Sequence, residues 1–192
     1  RNLKKINIAF LSNFTSELLD AFMKVELSDR GYLPKIYFNP YDQIEQIILE
    51  KQSKIYKNKQ DVIILALRLE SLLSDNFDEL IYDQKKLSNK ILEIEKRFFL
   101  LLKTLRLNNN YSKILIFNVN FIEHDIQGFT STSVKTNLDF VIEKINSYLI
   151  DISRKFNDVF IFDLKKVSQN IGLKNFFDKK LFLLSKMPFS LE

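Results

Sequence analysis

Two apolar periodicities alternate along the chain, and that alternation limits the fold more than any other feature. Short β-rich apolar runs bounded by polar residues occupy positions 6–11 (INIAFL), 33–38 (LPKIYF), 61–67 (DVIILAL), 113–117 (KILIF) and 158–162 (DVFIF), the pattern of buried strands. Between them, apolar residues recur at three- and four-residue spacing. One such series is Leu87, Ile91, Ile94, Phe98, Leu101 and Leu105; another is Val134, Leu138, Val141, Ile145, Leu149, Ile152 and Phe156. Amphipathic helices of this length cover one face of a sheet. Parallel neighbours need crossover connections, so the alternation predicts an α/β domain: a three-layer, doubly wound, five-stranded parallel sheet with helices on both sides. The 192 residues match one domain against a prior of about 150 residues per domain.

Local signals fit this order. Thr15 or Ser16 is placed to cap the helix carrying Leu18, Leu19 and Phe22, Gly31 suits its left-handed end, and Asp42 can start the next helix. Positions 118–133 (NVNFIEHDIQGFTSTS) form the one long irregular stretch, directly after the fourth strand. In open α/β sheets ligands bind at the carboxyl ends of strands, so this loop and Ser12 to Thr15 are where a site is expected.

Composition then removes whole classes of chemistry. There is no cysteine, which excludes disulfides and thiolate sites, and the lone His124 cannot supply a multi-histidine metal centre. The net charge of +5 is spread along the chain rather than gathered in basic runs, so nucleic acid is not the expected partner. Apolar runs are far shorter than the ~18 residues of a membrane helix, and no signal peptide opens the chain. A cytoplasmic protein is expected. The sequence begins at Arg1, so a longer parent chain is expected too.

Phosphate-binding patterns are missing. Ser12-Asn13-Phe14-Thr15 follows the first strand without a glycine, which leaves neither a dinucleotide fingerprint nor a P-loop. A haloacid-dehalogenase (HAD)-type Asp-x-Asp is missing as well: Asp163 ends the fifth strand, but Lys165 stands where the second Asp belongs. His124, between Glu123 and Asp125, reads as a solvated loop residue rather than a general base. Asp163 reads as a helix cap before a ligand or acid. The eighteen Phe read as core rather than base-stacking platforms. Arg97-Phe98-Phe99 and Arg106 read as a solvated helix edge.

The order strand, Ser-Asn-Phe-Thr, helix, DVIILAL and FDLKK resembles an SGNH-hydrolase-like, flavodoxin-like domain. Within that fold the chain more closely resembles the N-terminal domain of FkbH-like proteins. The resemblance rests on Ser12 to Thr15, on Tyr37-Phe38-Asn39-Pro40-Tyr41-Asp42-Gln43, on positions 61–67, and on Asn137-Leu138, Asn146, Asp163-Leu164 and Gly172. Its most specific part is the C-terminal run FDKKLFLLSKMPFS, positions 177–190, and it covers nearly the whole chain.

The resemblance implies the first domain, spanning residues 1–192, of a longer bacterial biosynthetic enzyme with a HAD-type domain after it. That second domain would transfer a glyceryl group to an acyl carrier protein or act as a phosphatase, and would hold the magnesium; no cofactor, metal ligand or catalytic residue of that kind carries over to this chain. Two alternatives stay open: a free-standing hydrolase or acyltransferase using the crevice, and an interaction domain whose positive charge attracts an acidic carrier protein.

Set against an SGNH hydrolase, this sequence lacks the required groups. Phe14 falls on the nucleophile, Arg68 on an oxyanion-hole glycine and Glu70 on the oxyanion-hole asparagine, and Asp178-Lys179-Lys180-Leu181 replaces Asp-x-x-His. What remains at the crevice is a polar set, Ser12, Asn13, Thr15, Asn118 and Asn120, suited to holding a ligand rather than attacking one.

Overall fold

The computed structural model describes residues 3–73, 80, 82–120 and 137–190. Five strands, β1 (Lys4–Ser12), β2 (Tyr32–Phe38), β3 (Val62–Ala66), β4 (Lys113–Phe117) and β5 (Val159–Phe162), form one parallel sheet in the order β2-β1-β3-β4-β5. Each coincides with a predicted apolar run to within two residues at either end.

Described helices are α1 (Asp20–Asp29), α2 (Ile44–Leu49), α3 (Lys54–Lys57), α4 (Glu70–Leu73), α5 (Gln84–Asn108), α6 (Leu138–Ser153), α7 (Leu164–Ile171), α8 (Leu173–Phe176) and α9 (Lys179–Ser185). A 3-10 turn at Glu17–Leu19 leads into α1.

Period-two alternation sends the strand side chains to opposite faces. Ala9, Leu11, Ile63, Leu65, Ile114 and Ile116 pack with Ile48, Ile55, Phe98, Leu102, Ile145 and Leu149 from α2, α3, α5 and α6. On the other face Ile8, Phe10, Ile64 and Ala66 meet Leu19, Met23 and Leu27 around α1, together with Phe14 and Phe189. The three predicted layers are therefore present. The chain leaves β1 toward β2 and leaves β3 toward β4, so the switch point lies between the carboxyl ends of β1 and β3.

Several local readings change. Neither Thr15 nor Ser16 caps a helix: Ser16 precedes the 3-10 turn without a side-chain cap bond, and α1 starts after Leu19. Asp42 adopts φ 55° in a turn, and Gln43 precedes α2 without a side-chain cap. Gly31 does close α1 in the left-handed region at φ 88°, where a side chain is strained.

The expected solvated edge of α5 is also corrected. Phe98 is a core residue, and Arg97 pairs with Glu45 across to α2. Arg106 donates to the carbonyls of Ser112 at 2.8 Å and Asp158 at 2.9 Å, tying the α5 end to the loops entering β4 and β5.

Candidate functional site at the carboxyl ends of β1 and β3

Ser12 ends β1, in register with Ala66 of β3, and is fully buried. Its hydroxyl donates to the Phe14 carbonyl at 2.7 Å and lies 2.9 Å from the Ser16 hydroxyl. A serine has one proton to give, so Ser16 is the donor in the second bond. The backbone of Ser12 is held equally firmly. Its N–H donates to Asn39 Oδ1 at 2.6 Å, and Asn39 Nδ2 donates back to the Ser12 carbonyl at 2.9 Å and to the Pro40 carbonyl at 2.7 Å. Asn39, immediately after β2, thereby fastens the end of β1 to its edge neighbour.

Asn13 performs the matching task toward β3. Its Oδ1 accepts the Arg68 backbone N–H at 2.8 Å, and its Nδ2 donates to the Arg68 carbonyl at 3.3 Å. Arg68 itself is buried, its guanidinium 4.0 Å from the ring centroid of Phe182 and 5.6 Å from that of Phe177. Attraction to an aromatic face strengthens when the cation is desolvated.

The C-terminal segment closes this end of the sheet. Thr15 N–H donates to the Lys186 carbonyl at 3.1 Å, and Phe177 bridges to Phe189 in an antiparallel pair. Phe14 packs edge-on against Phe189 at 5.3 Å, Phe176 lies 5.2 Å from the same ring, and Met187 is fully buried. Asp178 caps α9 by accepting Leu181 N–H at 2.8 Å.

Asn118 and Asn120 belong to a different corner. Asn118 Nδ2 donates to Asp163 Oδ1 at 2.7 Å, and Asn118 Oδ1 accepts Lys165 N–H at 3.0 Å. Asp163 also accepts Lys166 N–H at 3.0 Å as the cap of α7, and that bond, followed by the one from Asn118, holds its carboxyl below the usual carboxylate range. Asn120 donates to the Ser168 hydroxyl at 2.6 Å. Asn146 on α6 clamps Val119, accepting its N–H at 2.8 Å and donating to its carbonyl at 2.9 Å.

The five candidate residues thus divide between the β1–β3 switch point and the β4–β5–α7 corner, with no hydrogen bond joining the two groups among the described residues. His124 lies outside those residues, as does most of the 118–133 loop. Sequence reading missed the roles of Asn39, Arg68 and Asn146. Each is held by partners far away in sequence, which no local pattern announces.

Among the described residues no group of three or more acidic or histidine side chains could hold a metal ion. Nor is any described helix long and apolar enough to cross a membrane.

Solved structures share this architecture. The N-terminal part of protein BF1531 from Bacteroides fragilis, which contains a phosphatase domain and was crystallised with Mg, superposes with a TM-score of 0.79 at 24% identity. The match covers 98% of this chain and 48% of that one, so the present chain spans about half its length. A structure described as that of a GDSL-like lipase from Parabacteroides merdae superposes with a TM-score of 0.54 at 14% identity, over 99% of this chain and 91% of that one. No curated protein matches the sequence. The family model described as FkbH, N-terminal domain, matches residues 7–192. A match running through nearly the whole sequence, including the crevice and the segment that closes it, shows that the chain belongs to the FkbH N-terminal domain family.

Proposed function

We propose that this domain is a non-hydrolytic accessory module of an FkbH-type biosynthetic enzyme, in which a HAD-type domain performs the glyceryl transfer or phosphatase chemistry in the cytoplasm. One observation carries the non-hydrolytic reading. The Ser12 proton is committed to the Phe14 carbonyl, while the ring of Phe14, in the nucleophile's register, is buried against Phe189. A serine nucleophile needs a free hydroxyl within reach of a base. Here the hydroxyl serves as an internal brace, and no histidine occurs among the described residues. Asp178, the remnant of an Asp-x-x-His pair, is used as a helix cap.

The role left to the domain is recognition. An excess of five positive charges favours encounter with an acidic carrier protein, onto which the second domain would load the glyceryl group. The comparison with a phosphatase-domain protein of about twice this length supports the two-domain arrangement.

Hydrolysis of p-nitrophenyl acetate and butyrate tests the reading. Turnover is expected to stay at the level of the Ser12→Ala and Thr15→Ala variants. Turnover well above background that either substitution abolishes, with the fold intact by circular dichroism, overturns it in favour of a free-standing hydrolase.

A further inference from the structure

A cleft of about 570 Å³ opens on the opposite side of the fold from the crevice, at the amino end of the sheet. Asn7 of β1 and Lys35 of β2, paired in register, contribute one wall together with Ile36 and Tyr37. Lys54 and Lys57 of α3 contribute another, and Asn58, Lys59 and Gln60, on the way into β3, complete it. Four lysines from three separate segments therefore line one concavity.

No carboxylate lines the cleft, and none of the four lysines forms an ion pair among the described residues. Lys54 Nζ lies 5.8 Å from the Tyr37 ring centroid and Lys59 Nζ 5.1 Å from that of Tyr111. Asp61, the next residue along the chain, accepts the Asn7 backbone N–H at 2.8 Å. Protecting the open edge of the sheet accounts for a lysine on edge strand β2, but not for three more, carried by other segments, around the same cavity. Like charges gathered around one cavity with no ion-pair partner repel, and a bound anion relieves that repulsion.

We propose that this cleft binds a small organic phosphate carrying at least two negative charges. Its volume falls in the range of about 300–1,000 Å³ typical of small-molecule sites, which favours a compact ligand over a protein helix. The ring of Tyr37 offers an apolar wall for the organic part, and the amides of Asn7, Asn58 and Gln60 add neutral hydrogen-bonding capacity beside the ammonium groups. The site is separate from the crevice, and the proposal does not depend on the accessory role argued above.

Isothermal titration of the whole protein with inorganic pyrophosphate and with fructose 1,6-bisphosphate tests it. Saturable binding is expected, with the bisphosphate no weaker than pyrophosphate. The pair Lys54→Glu and Lys57→Glu should lose at least tenfold in affinity, and the milder Lys35→Gln a smaller but measurable part. A control pair, Lys103→Glu and Lys174→Glu, makes the same change in net charge at exposed positions elsewhere and should bind as the parent does. The proposal fails if neither probe saturates at millimolar concentration, or if the control pair loses as much affinity as the cleft pair. It also fails if poly-L-glutamate binds at the cleft and neither phosphate displaces it, which would mark the surface as one for an acidic protein.

Discussion

Asn13 and Arg68 are joined by two hydrogen bonds between one side-chain amide and one backbone unit, 2.8 and 3.3 Å long, that tie the end of β1 to the residue just past β3. The Asn13 side chain thus mimics one more ladder step where the strands separate. Ordinary ladder bonds stop at Ser12 and Ala66, and without Asn13 the Arg68 N–H would have to find another partner inside a dry region.

Asn13→Ala is therefore expected to cost about 1–3 kcal/mol, the price of stranding a buried backbone donor. Urea unfolding should show a lower midpoint with an unchanged slope, since the surface exposed on unfolding does not change. A midpoint equal to the parent's would show that Asn13 does not brace the crevice.

Phe14 carries a second prediction. It is buried and packed edge-on against Phe189 at 5.3 Å. Phe14→Ser restores a hydroxyl in the nucleophile's register but empties an aromatic site, so a loss of about 3–5 kcal/mol is expected. No p-nitrophenyl ester turnover should appear, because no histidine among the described residues is there to serve as its base, and a hydroxyl without a base stays a poor nucleophile. Turnover in this variant, read alongside a thermal melt, would show that a base is already in position.

The sheet was legible in the sequence because burial on both faces turns parallel strands into continuous apolar runs, as in DVIILAL, which no solvated segment imitates. Asp163 was legible as a cap for a similar reason: a carboxylate directly before LKKV has a local task that needs no tertiary information. Ser16 was not. Its sequence context offers a helix cap, but its hydroxyl goes to Ser12, four residues back, because the end of β1 turns sharply. Arg68 was opaque for the same physical reason. The rings that surround it, Phe177 and Phe182, lie more than a hundred residues away, and no local pattern announces such a partner. Asn118 and Asn120 were recognised as crevice-end polar residues, while their actual neighbours, Asp163, Lys165 and Ser168, follow the next strand.

Asp163 sets a pH dependence. The Lys166 backbone N–H, and after it the Asn118 amide, hold its folded pKa below the usual value. A depressed carboxylate pKa adds stability that is present above the unfolded pKa of about 3.9 and is lost as pH falls through the folded value. Asp163→Asn keeps a capping oxygen but removes the charge. The parent should be the more stable at pH 7, and the difference should close as urea unfolding is repeated at successively lower pH below about 4. A difference that stays constant down to pH 3 would assign the stabilisation to the hydrogen bond rather than to the charge.

The last prediction concerns the carrier protein and rests on the accessory reading. An encounter steered by charge depends on ionic strength, because exposed charges are screened beyond a Debye length of about 8 Å under physiological conditions. Affinity for an acidic acyl carrier protein, measured by surface plasmon resonance, is therefore expected to fall about tenfold from low salt to several hundred millimolar, mostly through the association rate. Dissociation should change little, since short-range contacts, once made, are screened much less. The charge excess of five that drives this encounter is a property of the whole surface, so no single lysine substitution should abolish it, whereas several reversals on one face should slow association progressively. Binding that ignores salt would point to an apolar interface instead, and no binding to any acyl carrier protein would remove recognition of that partner from the domain's role.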